Sequence, residues 1–122
     1  MIKPGDCFLL DNPTNNRKHL YIVISNQSNQ DRILLVNVTT YKTGKDTSCI
    51  LESGDHPFIK HKSIINYAEP LEPVHDPFEG FVNRNIIQRA KSISKVVLRK
   101  VQEGAKVSPA LPRKFRKYFR YF

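Results

Sequence analysis

The chain has 122 residues, 39% of them hydrophobic, and a negative mean hydropathy, enough for one domain that buries a core without staples. No apolar run approaches the roughly 20 residues that cross a bilayer, and residues 1–6 lack the apolar segment of a signal peptide, so a cytoplasmic protein without a membrane partner is expected. The net charge of +9 is uneven: from Asn83 onward twelve basic residues stand against one acid, Glu103, giving +11 there and −2 on residues 1–82, which suits a polyanion or an acidic protein partner.

Lys3-Pro4-Gly5-Asp6 is a turn that launches a short strand over 7–10. Residues 11–18 form a polar loop. The run Leu20-Tyr21-Ile22-Val23-Ile24-Ser25 reads as a strand buried on both faces near the middle of a sheet. A turn over 26–31, a strand over 32–40 ending in Thr39-Thr40, a loop over 41–46 with Gly44 and a strand over 47–51 follow. Cys7 and Cys49 lie in these apolar strands and read as buried free thiols rather than a disulfide, and no Cys-x-x-Cys pair offers a zinc site.

Residues 54–63 concentrate polar chemistry: Asp55, His56, Lys60, His61, Lys62 and Ser63 precede an apolar strand over 63–67. Five short strands joined by polar turns, with no helix between them, predict a small antiparallel barrel or curled sheet over 1–70. Pro70, Pro73 and Pro77 are expected to interrupt regular structure as far as Gly80. Beyond them Val82, Ile86, Ile87, Ala90, Ile93, Val97, Leu98 and Val101 recur at spacings of three and four, predicting one long amphipathic helix over 81–104 capped at Gly104. Lys91, Lys95 and Arg99 form a basic stripe on it. A basic tail over 105–122 interleaves Phe115, Tyr118, Phe119 and Phe122 with cations and is expected to pack as a short helix against the body.

Two kinds of chemistry suit these residues. RNA is cut without metal by a base that activates the 2′-hydroxyl, an acid that protonates the leaving oxygen and a cation that steadies the phosphorane. Arg17, Lys18 and His19 at the start of the second strand and Thr39-Thr40 at the end of the third would share one end of an antiparallel sheet. His56, His61 and Ser63 supply further groups. The competing reading is a metal site from Asp55, His56 and His61, joined by His75 and Asp76, although their spacing matches no recognised ligand pattern. Each candidate also has a bland reading: a surface histidine, a hydroxyl at a strand end, a solvated basic face.

The order of pieces resembles the PemK/MazF family of toxin ribonucleases. Lys3-Pro4-Gly5-Asp6, the polar loop, the strand over 20–25, Leu35-Val36-Asn37-Val38-Thr39-Thr40 and the serine-led strand at Ser63 carry the likeness across roughly residues 3–101. The resemblance implies an SH3-like barrel with helices, a homodimer, metal-independent cleavage of single-stranded RNA without cofactors, and inhibition by a cognate antitoxin protein. It places the family's threonine on Thr40, beside Thr39. The family's catalytic arginine falls on His19, followed by Leu20 instead of proline, so either His19 acts as the acid/base itself or Arg17 or Lys18 supplies the cation. Catalytic candidates are therefore His19, Arg17, Thr40, His61 and His56, and RNA-binding candidates are Lys18, Thr39, Lys60, Lys62, Ser63, Lys91, Lys95 and Arg99. A non-catalytic SH3-like module that binds nucleic acid or an acidic protein is the alternative expectation.

Overall fold

The structure, a computed structural model, describes residues 1–11 and 17–122; residues 12–16 of the expected polar loop lie outside the described residues. Among the described residues six strands, β1 (Cys7–Asp11), β2 (Lys18–Val23), β3 (Leu35–Thr40), β4 (Ile50–Leu51), β5 (Ser63–Leu71) and β6 (Gln88–Ala90), form one antiparallel sheet. Their order is β4-β5-β3-β2-β1-β6. The ladders run from β4 at one edge to β6 at the other, so the sheet is open where a closed barrel was expected. Helices α1 (His75–Asn83) and α2 (Lys95–Val107) and a 3₁₀ segment at Arg113–Tyr121 complete the fold.

Alternation along β2 explains the two layers. Leu20 and Ile22 point to one face and Tyr21 and Val23 to the other, and all four are buried. The first face carries the larger core, where Cys7, Val36, Ile65 and Tyr67 meet Val97, Val101 and Ala105 of α2. Phe115 and Tyr118 of the C-terminal segment close the same core, as expected of an aromatic tail that packs on the body. Tyr118 also donates its hydroxyl hydrogen to Glu72 at 2.7 Å. The second face packs Phe8, Tyr21, Val23 and Leu35 under α1, with the Phe8 and Phe78 rings edge to face at 5.2 Å. Cys7 and Cys49 are free and buried, and burial pushes their thiols up to about 12 and about 11.

The region 70–107 departs from the sequence expectation. Pro70 lies inside β5, beyond the reach of β4, which pairs only with Ser63 and Ile64, so its missing N–H costs no ladder bond to that strand. Pro77 sits in the first turn of α1, where a missing N–H is tolerated. The expected single helix over 81–104 is three elements. α1 stops at Asn83, Asn85 takes a left-handed conformation (φ 60), and Gln88–Ala90 adds to the open edge of β1. The chain re-enters helix at Ser94, whose side chain accepts from the Val97 N–H at 3.1 Å. Apolar residues at helical spacing thus belong to α1, a turn, an edge strand, a linker and α2 in succession.

Gly104 is not the cap: α2 continues to Val107 and ends at Ser108. Ser108 donates to Asp46 at 2.5 Å, tying the helix end to the loop before β4. Burial alone would raise the Asp46 carboxyl, but hydrogen bonds from Ser108 and Ser48 outweigh it and hold the group below its ordinary value. No helix among the described residues is long and apolar enough to cross a membrane.

Candidate functional site at one end of the sheet

Register fixes where the polar strand ends meet. Tyr21 pairs with Asn37, which brings Lys18 and His19 at the start of β2 beside Thr39 and Thr40 at the end of β3. On the other side of β3, Thr40 pairs with Ser63 at the start of β5. The loop before β5 therefore folds back over the same end as His19. A groove of about 290 Å³ results, with Arg17, Lys18, His19, Thr40, Lys60 and His61 in its lining. Thr39 and Ser63 also line it.

His61 Nε2 lies 3.0 Å from the Thr40 hydroxyl oxygen, a hydrogen bond between residues 21 apart in sequence. His19 Nδ1 lies 3.2 Å from the Val38 carbonyl. A carbonyl only accepts, so Nδ1 carries the proton and the neutral ring keeps its lone pair on Nε2. Ser63 donates its hydroxyl hydrogen to the His61 carbonyl at 2.9 Å, which fixes the backbone of the loop where it joins β5. The groove thus offers two imidazoles, two threonine hydroxyls and cations from three elements.

His56 is not part of this groove. Only 4% exposed, it accepts from the Phe58 N–H through Nδ1 at 2.9 Å and donates from Nε2 to the Lys91 carbonyl at 2.5 Å. Both ring nitrogens are spent on the backbone, so the ring is a brace between the loop and the segment after β6. Lys62 places its ammonium 4.2 Å from the centre of the Tyr41 ring and is not in the groove lining. Lys91, Lys95 and Arg99 are exposed, the last two on α2, and none of the three lines the groove.

The competing metal set does not converge. Asp55 accepts from the Glu52 N–H at 2.7 Å and holds the turn at Gly54 (φ 102). His75 begins α1 with Nδ1 2.8 Å from Asp76. Among the described residues no three His, Cys, Asp or Glu side chains cluster as a metal ligand set.

Lys42 and Phe58 line the groove although the sequence reading passed over them. Phe58 is 44% exposed, a solvent-facing aromatic among the basic residues of the lining. Its signal was visible in Asp55-His56-Pro57-Phe58, an aromatic in a loop that has no strand partner to bury it. Asn37, next to Thr39 on the same face of β3, is fully buried and stands in register between Tyr21 of β2 and Asn66 of β5. A smaller depression of about 170 Å³ lies between residues 28–30 and Lys117, Arg120 and Tyr121, without a histidine in its lining. No protein-family model, no curated protein and no solved structure matches this chain.

Proposed function

We propose that the groove cleaves single-stranded RNA without a metal, by attack of the 2′-hydroxyl on the adjacent phosphorus. The observation that carries this reading is the meeting of His19 and His61 in one cationic groove, with the Thr40 hydroxyl 3.0 Å from His61 Nε2. His19, its Nδ1–H donating to the Val38 carbonyl, takes the proton from the 2′-oxygen through Nε2. The 2′-oxygen forms its bond to phosphorus as the bond to the 5′-oxygen breaks. His61, as the imidazolium, returns a proton to that leaving oxygen, directly or through the Thr40 hydroxyl. Arg17, with Lys18 and Lys60 beside it, steadies the extra negative charge on the phosphorane. The products are a 2′,3′-cyclic phosphate and a 5′-hydroxyl. The basic residues from Asn83 onward, Lys91, Lys95 and Arg99 among them, draw RNA in by counterion release rather than by touching the cut.

The likeness to PemK/MazF toxins belongs to the same proposal. Its support is the Lys3-Pro4-Gly5-Asp6 turn entering β1, the polar segment before β2 and the Thr39-Thr40 exit of β3 beside the serine that opens β5. With it go an SH3-like description of the sheet, a homodimer, and an antitoxin whose acidic segment would complement the groove.

Incubating the protein with mixed RNA in excess EDTA tests the reading. Fragmentation that EDTA leaves untouched is expected. RNA that binds in a salt-dependent way and stays intact would reduce the groove to a binding module, and cleavage abolished by EDTA would point to a metal-dependent nuclease.

A further inference from the structure

Phe58 presents an apolar ring to solvent at a point where the chain is held on both sides. His56, Pro57, Phe58 and Ile59 form a tight turn, closed by the Ile59 N–H donating to the His56 carbonyl at 2.9 Å. Pro57 takes the second position, where its fixed φ presets the turn. Both ends are anchored: His56 and Ile59 are each 4% exposed, and Ile59 belongs to the larger core. The His56 ring also accepts the Phe58 N–H at 2.9 Å while donating to the Lys91 carbonyl. A braced turn therefore carries the Phe58 ring at its tip. Phe81, the other exposed phenylalanine, differs, since the Arg84 guanidinium lies 5.3 Å from its ring centre.

Charge around the turn points to the occupant. Arg17, Lys18, Lys42 and Lys60 line the same groove, and among the described residues no carboxylate does. Asp11 offsets Lys18 in part, 3.6 Å away in an exposed ion pair. A neighbouring groove of about 350 Å³ shares Thr39, Thr40 and Lys42 with the first, but there Asp46 and Glu69 balance Lys42 and Lys45. The excess of positive charge thus lies on the Phe58 side. A ligand that suits it carries spaced negative charges and a flat apolar face between them. An unpaired nucleotide does: its phosphates meet the lysines and its base has a face to lay on the ring. In a duplex the bases are stacked on one another, so the same ring finds nothing to cover.

We propose that Phe58 stacks on one unpaired base of the strand in the groove, with Lys42 and Lys60 on the adjoining phosphates, and that this contact selects single-stranded RNA over duplex. The inference rests on the RNA-cleaving reading of the groove, and its test is a binding measurement that needs no turnover. The chain contains no tryptophan, so Phe58→Trp in the His19→Ala/His61→Ala protein adds a single indole reporter. A mixed-sequence single-stranded RNA is expected to quench its emission by stacking. Inorganic polyphosphate, which offers charge without bases, and the same RNA annealed to its complement are expected to leave the emission unchanged. In fluorescence anisotropy on the same double-alanine background, Phe58→Leu keeps apolar bulk without a π face and is expected to weaken single-strand binding roughly tenfold. Phe58→Tyr is expected to change it by less than about twofold. Equal quenching by polyphosphate or duplex, single-strand binding without quenching, no binding, or a Phe58→Leu protein that binds single strands as tightly as its parent overturns the contact, whatever the unsubstituted protein does to RNA in EDTA. Intact RNA in EDTA together with a Phe58-dependent preference for single strands would instead overturn the cleavage reading and leave the stacking contact standing.

Discussion

Replacing His19 and His61 together by alanine is expected to lower RNA cleavage on the order of a thousandfold, and each single replacement nearly as much. The two effects do not add, because the base and the acid serve one displacement. In the proposed reaction, loss of His19 would leave the 2′-hydroxyl without its acceptor, and loss of His61 would leave the Thr40 hydroxyl without its imidazole. Both side chains lie at the surface end of the sheet and outside the two apolar clusters, so the variants should melt like the unsubstituted protein. His56 supplies the contrast. Alanine there removes a buried ring together with its hydrogen bonds to the Phe58 N–H and the Lys91 carbonyl, both part-buried, and is expected to cost about 1–2 kcal/mol in stability. Cleavage gels and thermal melts of the four variants separate the two kinds of histidine; a His19→Ala/His61→Ala protein that cuts RNA at the normal rate would refute the assignment.

Gly104→Ala is expected to be among the most damaging single substitutions in the chain. A Cβ at this position of α2 would fall on the Tyr67 hydroxyl oxygen and lie 2.9 Å from the Cys49 Cβ and 3.0 Å from the Ser48 carbonyl oxygen. Tyr67 cannot simply step aside. It is fully buried, and its hydroxyl donates to the Val101 carbonyl at 2.6 Å, one turn earlier on the same helix. The better helix propensity of alanine, about 1 kcal/mol, acts in the opposite direction. Overpacking of this kind costs about 1–3 kcal/mol where neighbours yield and more where they do not. Backbone and a locked ring are the neighbours here, so a net loss of at least about 2 kcal/mol is expected in urea or thermal unfolding. Unchanged stability would mean that α2 can slide on the sheet and that the contact of Tyr67 with α2 is not a fixed spacer.

These two residues also show how far the sequence could be read. Gly104 stood just past an apolar series and invited reading as a helix cap. In fact it is a small-residue slot for a crossing tyrosine, and that depends on a partner 37 positions away that no local pattern reveals. The series itself misled for a related reason. Three- and four-residue spacing cannot distinguish one helix from successive elements that each bury one or two residues. Asn85 and Ser94, a left-handed turn residue and a helix cap, carried the boundary signals instead. The strands were easier. β2 is apolar on every residue from Leu20 to Val23 because both faces are covered, and that run marked the sheet centre directly.

Much of the groove was legible from strand direction alone. Adjacent antiparallel strands put the start of β2 beside the end of β3, which gathers Arg17, Lys18, His19, Thr39 and Thr40 at one end of the sheet. The histidine loop was not legible in that way. His56 and His61 are alike in composition and five residues apart, yet one is buried against the backbone after β6 and the other faces Thr40. Sequence offered no means of ranking them, because the difference lies in what the rest of the chain places around each ring.

The most direct test of the central claim follows the 2′-oxygen. Wild-type protein in EDTA is given a short single-stranded RNA and the same strand with one 2′-deoxy sugar at the position of the cut. Attack by the neighbouring hydroxyl predicts that the all-RNA strand yields a 2′,3′-cyclic phosphate and a 5′-hydroxyl, and that the deoxy position is not cut at all. An all-RNA strand left intact, or a deoxy position cut as readily as the ribose, would contradict the account.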